Sequence, residues 1–376
     1  MLCKKEYNNL VKERDLSKVY FLYFLILVGL ILFRILSSFG LLSFFGDVGD
    51  YLFTFVIQVV ILFGLSFFWF GRISGKSKNM LLKEYKFKKI SKKSLIIVIF
   101  MGIVVYFLNS FVASFFYFLL SLFGFRLYAA SAVASYPIWL FLLNLLFTAV
   151  LPAICEETAH RGMLLSQISK NNVTKAIVIS SLLFGLLHIN IYQFFYATIL
   201  GFLLAKITLD SGSIFPAMII HFMNNALNVY MSFATANNLL SAKFVNLIFT
   251  MVSGEGVLGL LSLSLFVVFL LLCLRFLYQE LKVETFKANV VSLKEGLGKM
   301  LARAEFFEGL KDVETENRLY EQVLSCDKNC KKTQQNQEKN IKKQQKQSIF
   351  YEKLFFLASF CLASITTIFT FVWGVI

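Results

Sequence analysis

The chain has 376 residues and a net charge of +15; 58% of its residues are hydrophobic and only 16% are charged. This composition, with a mean hydropathy of +0.71, excludes a soluble globular protein and predicts an all-α, polytopic helical membrane protein. A transmembrane β-barrel is excluded as well, because its strands alternate apolar and polar residues, whereas the apolar runs here are continuous.

The positive charge is concentrated beside apolar runs, within the first 18 residues and again in residues 72–93. Short basic segments next to membrane spans are typical of cytoplasmic loops, so we predict a multi-pass protein of the cell membrane with a cytoplasmic N-terminus. Such segments also attract anionic membrane lipid, which we predict as a partner. No nucleic-acid-binding module accompanies the charge, so nucleic acid is not an expected partner.

Apolar runs long enough to cross a bilayer occur along most of the chain. Because a helix needs about 20 apolar residues to cross the hydrocarbon core, we predict about nine transmembrane helices. They lie at residues 19–42, 51–71, 94–123, 137–155, 176–190, 192–209, 214–232, 256–275 and 350–374. With a cytoplasmic N-terminus, this arrangement leaves few positive charges in the external turns, the last of which is predicted at 234–255.

Changes in composition divide the chain into regions. We predict N-terminal transmembrane helices at 1–136, a catalytic membrane core at 137–275, a charged cytoplasmic tail at 276–349 and a C-terminal transmembrane helix at 350–376. The tail begins with apolar residues at helical spacing, which predicts an amphipathic helix. Its second half, 328–347, is rich in Lys and Gln and has little to bury, so we predict that the tail is partly disordered.

Polar clusters occur in or at the ends of successive apolar runs. An ionisable side chain within a membrane span is costly and therefore indicates a functional site. In each cluster the key residues are four apart, so they lie on one helix face and can converge on a shared cavity. The clusters are EExxxR at Glu156, Glu157 and Arg161, FxxxH at Phe184 and His188, and HxxxN at His221 and Asn225.

The chemistry that fits these side chains is the activation of water. A carboxylate that has lost its hydration becomes a stronger base, so Glu156 or Glu157 can accept a proton from water and return it to a leaving amine. The imidazoles of His188 and His221 can hold the water or a Zn²⁺ ion. The amide of Asn225 can donate to the oxyanion of a tetrahedral intermediate.

These residues also have ordinary structural explanations. Adjacent glutamates at a helix end are usually solvated caps, and Arg161 is the kind of residue that anchors a helix at the cytoplasmic surface. His160 lies four residues after Glu156 and could share its helix face, but it also lies at the predicted cytoplasmic edge, where a histidine without a function costs little. Pro152 and Pro216 each precede a cluster and can free a backbone carbonyl, although a helix start explains Pro216 equally well.

In this order on successive apolar segments, the three motifs resemble those of the CPBP family of intramembrane proteases. That family includes the CAAX prenyl endopeptidases of the Rce1 type and the bacterial Abi proteins linked to bacteriocin immunity. The resemblance covers about residues 137–232. It implies an all-helical core with an intramembrane polar cavity, and an endopeptidase that cleaves a membrane-associated peptide or a C-terminal CAAX-like peptide.

The resemblance also implies a role for each motif residue. By motif position, Glu156 activates the water together with His188. The remaining roles are support of that arrangement by Glu157 and Arg161, and stabilisation of the oxyanion by His221 and Asn225. Two mechanisms stay open: a metal-free glutamate mechanism, and one that uses a bound Zn²⁺. The Zn²⁺ ligands would be Glu156, His188 and His221.

Two other functions fit parts of the pattern. A non-catalytic membrane scaffold, or a bacteriocin self-immunity protein, would keep the motifs as a structural polar network. A transporter would use the buried charges as an ion path, but the chain has no evident inverted repeat, which counts against that function. Our prediction is an intramembrane endopeptidase that acts on a peptide or protein substrate.

Overall fold

The computed structural model describes residues 2–40, 45–46, 48–126, 136–252, 256–308 and 330–375. These residues form helices and no strand, which confirms the predicted all-α class. With consecutive α- and π-helical segments joined, the helices are α1 (Leu2–Ser38), α2 (Val48–Ser74), α3 (Lys78–Glu84), α4 (Lys92–Ser121), α5 (Ile138–Ile168), α6 (Val173–Leu187), α7 (Ile191–Ser211), α8 (Phe215–Ala236), α9 (Leu240–Val252), α10 (Gly256–Glu308) and α11 (Cys330–Val375).

Within the described ranges, seven helices are long and apolar enough to cross a membrane: α1, α2, α4, α5, α7, α10 and α11. The protein is therefore polytopic, as predicted, but the count of nine spans is not confirmed. Helix α6 has 15 residues, fewer than the roughly 20 that a span requires. Helix α8 has 22 residues but carries His221 and several asparagines, and these side chains lower its hydropathy.

Helix α9 occupies a segment that the sequence predicts as an external turn. Its large apolar side chains repeat at helical spacing and are exposed, at Leu240, Phe244, Leu247 and Met251. A stripe of this kind forms a helix when it can face an apolar surrounding such as lipid. The prediction of a simple turn is therefore wrong for this segment. At 1.5 Å per residue the helix is only about 20 Å long, too short to span a bilayer.

The C-terminal part of the chain is more helical than predicted. Helix α10 runs without interruption through the predicted boundary at 275/276, and α11 includes residues 330–347, for which the sequence predicts disorder. Lys and Gln are good helix formers, which explains why a segment with nothing to bury is helical here. Residues 309–329 of the predicted tail lie outside the described residues. The predicted domain boundaries stay predictions.

The helices pack into two apolar clusters. One cluster is built from α1, α2, α5 and α6, with α11 packed along α1. The other is built from α4, α7, α8 and α10. Because α5 belongs to the first cluster and α8 to the second, polar side chains that lie between these two helices are enclosed where the clusters meet.

Helices α6 and α7 approach each other closely at two glycines. A Cβ atom at Gly185 would lie 2.0 Å from Thr198 Oγ1 and 2.7 Å from the carbonyl oxygen of Phe194. A Cβ at Gly201 would lie 3.1 Å from the Cα of Ser181. Neither position has room for a side chain, so the spacing of α6 and α7 depends on glycine at both.

We expect Gly185→Ala to destabilise the protein by about 1–3 kcal/mol, the usual cost of overpacking. The measurement is thermal unfolding of the full-length protein in detergent. Gly64→Ala on α2 is the matched control, because a Cβ there meets only the carbonyl oxygen of Val59 at 3.4 Å. Equal unfolding midpoints for the two variants would contradict the close contact between α6 and α7.

Candidate active site

Helix α5 carries both predicted carboxylates in its interior. The α-helical segment Leu151–Glu157 is flanked by π-helical segments at Leu145–Val150 and Thr158–Leu165. Glu156 is 7% exposed and Glu157 is fully buried. Since the helix continues to Ile168, the alternative that these glutamates form a solvated cap at a helix end is wrong. Wider helical turns of this kind often occur at functional sites, where they redirect side chains.

Glu157 connects two helices through its two carboxylate oxygens. Its Oε1 lies 2.9 Å from Nδ1 of His221 on α8, and its Oε2 lies 3.1 Å from Nε of Arg161, one turn further along α5. The contact with Arg161 is an ion pair by distance, without the alignment of a hydrogen bond. A carboxylate accepts only, so Nδ1 of His221 carries a proton and Nε2 is the nitrogen that faces the rest of the site.

Arg161 is enclosed on every side, although the sequence also allowed a surface anchor. Its side chain is 1% exposed. Nη2 donates to the carbonyl oxygen of Gly201 at 3.1 Å, and the guanidinium lies over the ring of Phe184 at 4.5 Å. A buried guanidinium needs partners for its charge. Here the partners are one carboxylate, one backbone carbonyl and one aromatic face.

Glu156 has one oxygen that accepts a hydrogen bond and one that is buried without a hydrogen-bond partner in the described part of the chain. Oε1 accepts a hydrogen bond of 2.8 Å from Nε2 of Gln58 on α2. Oε2 has no hydrogen-bond partner among the described residues and lies 3.9 Å from Nε2 of His221. That distance is too long for a direct hydrogen bond, but one water molecule between the two atoms can contact both.

The ring of Phe184 is the common contact of the basic side chains. It meets the imidazoles of His160, His188 and His221 edge to face, with centroid distances of 5.1, 5.4 and 5.5 Å. Together with the guanidinium of Arg161 on its face, four basic groups surround one phenyl ring. The phenyl ring therefore sets the spacing between these four side chains.

His188 lies at the open side of this arrangement. It caps the C-terminal end of α6 and is partly exposed. It interacts electrostatically with Glu156 and His221, which places it at the same site. No hydrogen bond joins its ring to another described residue, so its ring nitrogens are available to water or substrate.

His160 is a correction to the sequence analysis. It is fully buried, although the sequence placed it at the cytoplasmic edge with no role. Nδ1 donates to the backbone carbonyl of Glu156 at 2.8 Å, and Nε2 lies 3.1 Å from the hydroxyl of Tyr23. That hydroxyl also donates to the carbonyl of Leu183 at 2.8 Å. The ring thus ties α5 to α1 and α6 directly behind the carboxylates.

Asn225 lies one turn after His221 and is partly committed to other contacts. Its Nδ2 donates to the carbonyl oxygen of Thr148 at 3.1 Å, and its Oδ1 accepts from Asn224. Thr148 is four residues before Pro152, which has no N–H to offer that carbonyl. The freed carbonyl expected from Pro152 is therefore used to position Asn225. Pro216 is the second residue of α8, an ordinary helix start.

The described residues do not bring three potential metal ligands together. Among the described residues, no group of three His, Cys, Asp or Glu side chains is spaced to hold a metal ion. Nδ1 of His221 is held by Glu157, so His221 offers one nitrogen at most. Catalytic zinc uses three protein ligands, and the pair Glu156 and His221 supplies two. The ligand set that also includes His188 stays a prediction.

Two residues of the site were missed by the sequence analysis. Gln58 is the only glutamine in α2, and a lone amide within an apolar span is a usable signal for a buried partner. Tyr23 gave no comparable signal, because tyrosine is common in this chain and only its contact with His160 distinguishes it. Both residues come from helices far from the motifs in sequence.

A basic segment packs beneath the Arg161 turn of α5. Tyr85, directly after α3, is fully buried; its ring would be 2.7 Å from a Cβ at Gly162, and its hydroxyl donates to the carbonyl of Ser66 at 2.6 Å. The neighbouring Glu84 forms an ion pair with Lys76 at 3.0 Å and another with Lys170. These contacts fasten α3 to the rest of the bundle.

Residues 137–227 match the family model described as type II CAAX prenyl endopeptidase Rce1-like. The matched segment begins directly before α5 and ends within α8, so it contains all the predicted site residues and the helices that carry them. Comparisons with curated proteins and with solved structures give no match. The match covers about a quarter of the chain and leaves out Gln58, Tyr23 and α9.

The buried ion pair yields a first prediction for this site. We expect Glu157→Gln to destabilise the protein by about 3–5 kcal/mol, because it leaves the charge of Arg161 buried without a partner. Arg161→Leu should cost a similar amount, and the double variant should cost clearly less than the sum. The measurement is a double-mutant cycle on unfolding free energies in detergent. Additive costs would contradict a direct pairing of the two charges.

A second prediction concerns pH. Burial opposes the ionisation of Glu84, but contacts with Lys170 and Lys76 outweigh it and hold the pKa of this carboxyl below its ordinary value. Its ionised form therefore stabilises the fold above the unfolded-state pKa of about 4.3, and this contribution is lost as pH falls through the lower folded-state pKa.

We accordingly expect Glu84→Gln to lower stability at neutral pH by about 1 kcal/mol. The difference from the unmodified protein should shrink as pH is lowered below the ordinary glutamate pKa. Thermal unfolding across a pH series measures both. A difference that is the same at neutral and at acidic pH would show that the ion pairs of Glu84 do not stabilise the fold.

Proposed function

We propose that this protein, whose residues 137–227 belong to the Rce1-like family of type II CAAX prenyl endopeptidases, is an intramembrane endopeptidase. It hydrolyses a peptide bond of a membrane-associated or C-terminal CAAX-like peptide with water activated by glutamate and histidine. One observation carries the proposal: Oε2 of Glu156, which has no hydrogen-bond partner among the described residues, lies 3.9 Å from Nε2 of His221 inside a buried cluster. The rest of the cluster holds these two atoms in place.

The proposed mechanism uses both ring nitrogens of His221 as donors. Nδ1 points to Glu157 and Nε2 points to the reaction space beside Glu156.

The reaction then follows from these positions. Water held between Glu156 and His221 gives a proton to Oε2 of Glu156 while its oxygen bonds to the substrate carbonyl carbon. The carbonyl oxygen gains the negative charge and accepts Nε2–H of His221. When the tetrahedral intermediate collapses, the C–N bond breaks and the proton on Glu156 passes to the departing nitrogen. The products are a carboxylic acid and an amine, and Glu156 is a carboxylate again.

The other motif residues support these steps. Glu157 fixes the orientation of the His221 ring, and Arg161 fixes Glu157. Gln58 holds Oε1 of Glu156, so Oε2 is the oxygen that meets the water. The second N–H of the Asn225 amide is the further donor to the oxyanion. His188, on the open side, contacts the water or the entering peptide.

The placement of the protein in the membrane is also part of the proposal. The chain crosses the cell membrane with its N-terminus in the cytoplasm, because basic residues flank α3 and lie in the first 18 residues, before the apolar part of α1. Anionic lipid binds these basic segments.

A specific observation favours a second function. Glu157, His160 and Arg161 are buried, and each contacts other buried groups of the protein, which is also what a structural polar network requires. A non-catalytic scaffold, or a self-immunity protein, would keep this network without hydrolysing anything. The two functions differ in whether Oε2 of Glu156 accepts a proton from water.

Glu156→Gln separates these functions. The amide keeps the shape of the side chain but cannot take a proton from water, so we expect hydrolysis to fall by roughly 10²–10⁴-fold with the unfolding midpoint unchanged. The measurement is cleavage of a library of lipid-anchored and CAAX-terminated peptides by the purified protein. Glu284→Gln is the control. It removes a carboxylate of α10 that pairs with Lys93 on α4 and with Lys287 on α10, away from the candidate active site. Hydrolysis of the library at the same rate by both variants would refute the base role of Glu156.

The same assay tests the metal. Because no group of three potential ligands among the described residues is spaced to hold a metal ion, we expect a chelator to leave the cleavage rate unchanged and added Zn²⁺ not to raise it. Loss of cleavage with chelator, restored by Zn²⁺, would instead assign Glu156, His188 and His221 as metal ligands.

A further inference from the structure

A second cavity lies outside the candidate active site, between α4, α8 and α9. Its volume is about 820 Å³. No lining residue carries a charge, although the cavity is rich in side chains that form hydrogen bonds. Its polar lining residues include Ser110 on α4, Asn228, Ser232 and Thr235 on α8, and Asn246 on α9. Helix α9, which forms one wall, lies beyond the segment that matches the family.

Several polar groups of this cavity are accessible from outside the protein. Asn228, Thr235 and Asn246 are exposed. Among the described residues, the side chain of Asn246 has no hydrogen-bond partner, while the opposite face of α9 shows apolar residues such as Phe244 and Leu247. Helix α9 thus turns its apolar face outward and its amide toward α8. Exposed amide and hydroxyl groups on this wall suit an occupant that forms hydrogen bonds.

A chain of asparagines connects the cavity to the candidate active site. Asn228 donates through Nδ2 to the backbone carbonyl of Asn224 at 2.8 Å. The side chain of Asn224 accepts from Asn109 at 3.1 Å and donates to Asn225 at 3.0 Å. Asn225 in turn lies one helical turn from His221. Hydrogen bonds therefore link Asn228, at the inner end of the cavity, to the residues that the proposed mechanism places at the oxyanion.

The distance between the two sites suits a continuous chain. Asn228 follows His221 by seven residues on α8, a rise of about 10 Å along the helix axis. An extended peptide advances about 3.3 Å per residue, so about three residues span that distance. A peptide whose scissile bond lies at His221 would place residues a few positions away in the cavity.

We propose that this cavity binds an uncharged, extended segment of the peptide substrate through its main-chain amides. The inference rests on the proposed function. It adds a site at which the protein recognises the part of the substrate that lies beyond the scissile bond. Unpaired backbone N–H and C=O groups are costly in a bilayer. Asparagine and threonine side chains supply both donors and acceptors for them.

Other occupants match the lining less well. An acyl chain would leave the amide of Asn246 without a partner. A charged segment would find no opposite charge in the wall. Only a neutral main chain satisfies both the polar wall and its own amide groups.

The test is peptide binding to the full-length protein in lipid nanodiscs, with Glu156→Gln as background to prevent cleavage. The probe is a fluorescent peptide of uncharged residues with blocked ends. Thr235→Val and Asn246→Ala together remove two hydrogen-bonding groups from the wall, and we expect affinity to fall about tenfold. Asn79→Ala is the matched control, an exposed asparagine on α3 that does not line the cavity; it should leave affinity unchanged.

A second probe separates main-chain recognition from hydrophobic partition. The same peptide with N-methylated amides loses its donors but becomes more apolar, so we expect it to bind at least about tenfold more weakly. Equal or tighter binding of this peptide, no binding of either peptide, or equal affinity in the double variant would overturn the inference. The inference would also be overturned if Thr235→Val and Asn246→Ala changed the binding of a fluorescent fatty acid but not the binding of the peptide.

Failure of the proposed function gives a different result. A protein that binds the blocked peptide in this cavity but cleaves no library member would refute hydrolysis and leave the binding site intact. A protein that cleaves with the same KM before and after the two cavity substitutions would refute the binding site and leave hydrolysis intact.

Discussion

The site depends on one buried carboxylate, that of Glu157, which bridges Arg161 on its own helix and His221 on α8. Each of these three groups would be too costly to bury alone, and each is acceptable because the others are present. The bridge also performs two tasks at once. It fixes the separation of α5 and α8, and it fixes which nitrogen of His221 faces Glu156. Without this bridge, the ring of His221 would no longer be held in the orientation that the proposed reaction requires.

The surrounding residues convert this electrostatic bridge into a defined reaction space. Phe184 separates the basic groups, and Gln58 donates a hydrogen bond to one oxygen of Glu156. The carbonyl oxygen of Gly201 accepts a hydrogen bond from the guanidinium of Arg161. The last contact links the site to helix packing, because α7 carries Gly201 at a position where any side chain would collide with α6. Backbone packing and catalytic geometry are therefore coupled through glycine.

The sequence predicted the parts of this arrangement that are local. Spacing of four residues along a helix is a local property, so Glu157 and Arg161 could be paired, and three motifs on successive helices indicated a shared cavity. The partners from α1 and α2 were not predicted, because Tyr23 lies 137 positions from His160 and Gln58 lies 98 positions from Glu156. The burial of His160 was missed for a related reason. The predicted span ended at residue 155, whereas α5 continues to Ile168 because its charges are paired inside the protein.

The central claim is that Glu156 and His221 meet across one water molecule. An experimental structure of the full-length protein in lipid, at a resolution that shows ordered water, tests it most directly. Our account expects Oε2 of Glu156 and Nε2 of His221 about 4 Å apart, with a single water in contact with both. A structure in which these atoms are separated by other side chains, or in which Glu157 contacts neither Arg161 nor His221, would contradict the account.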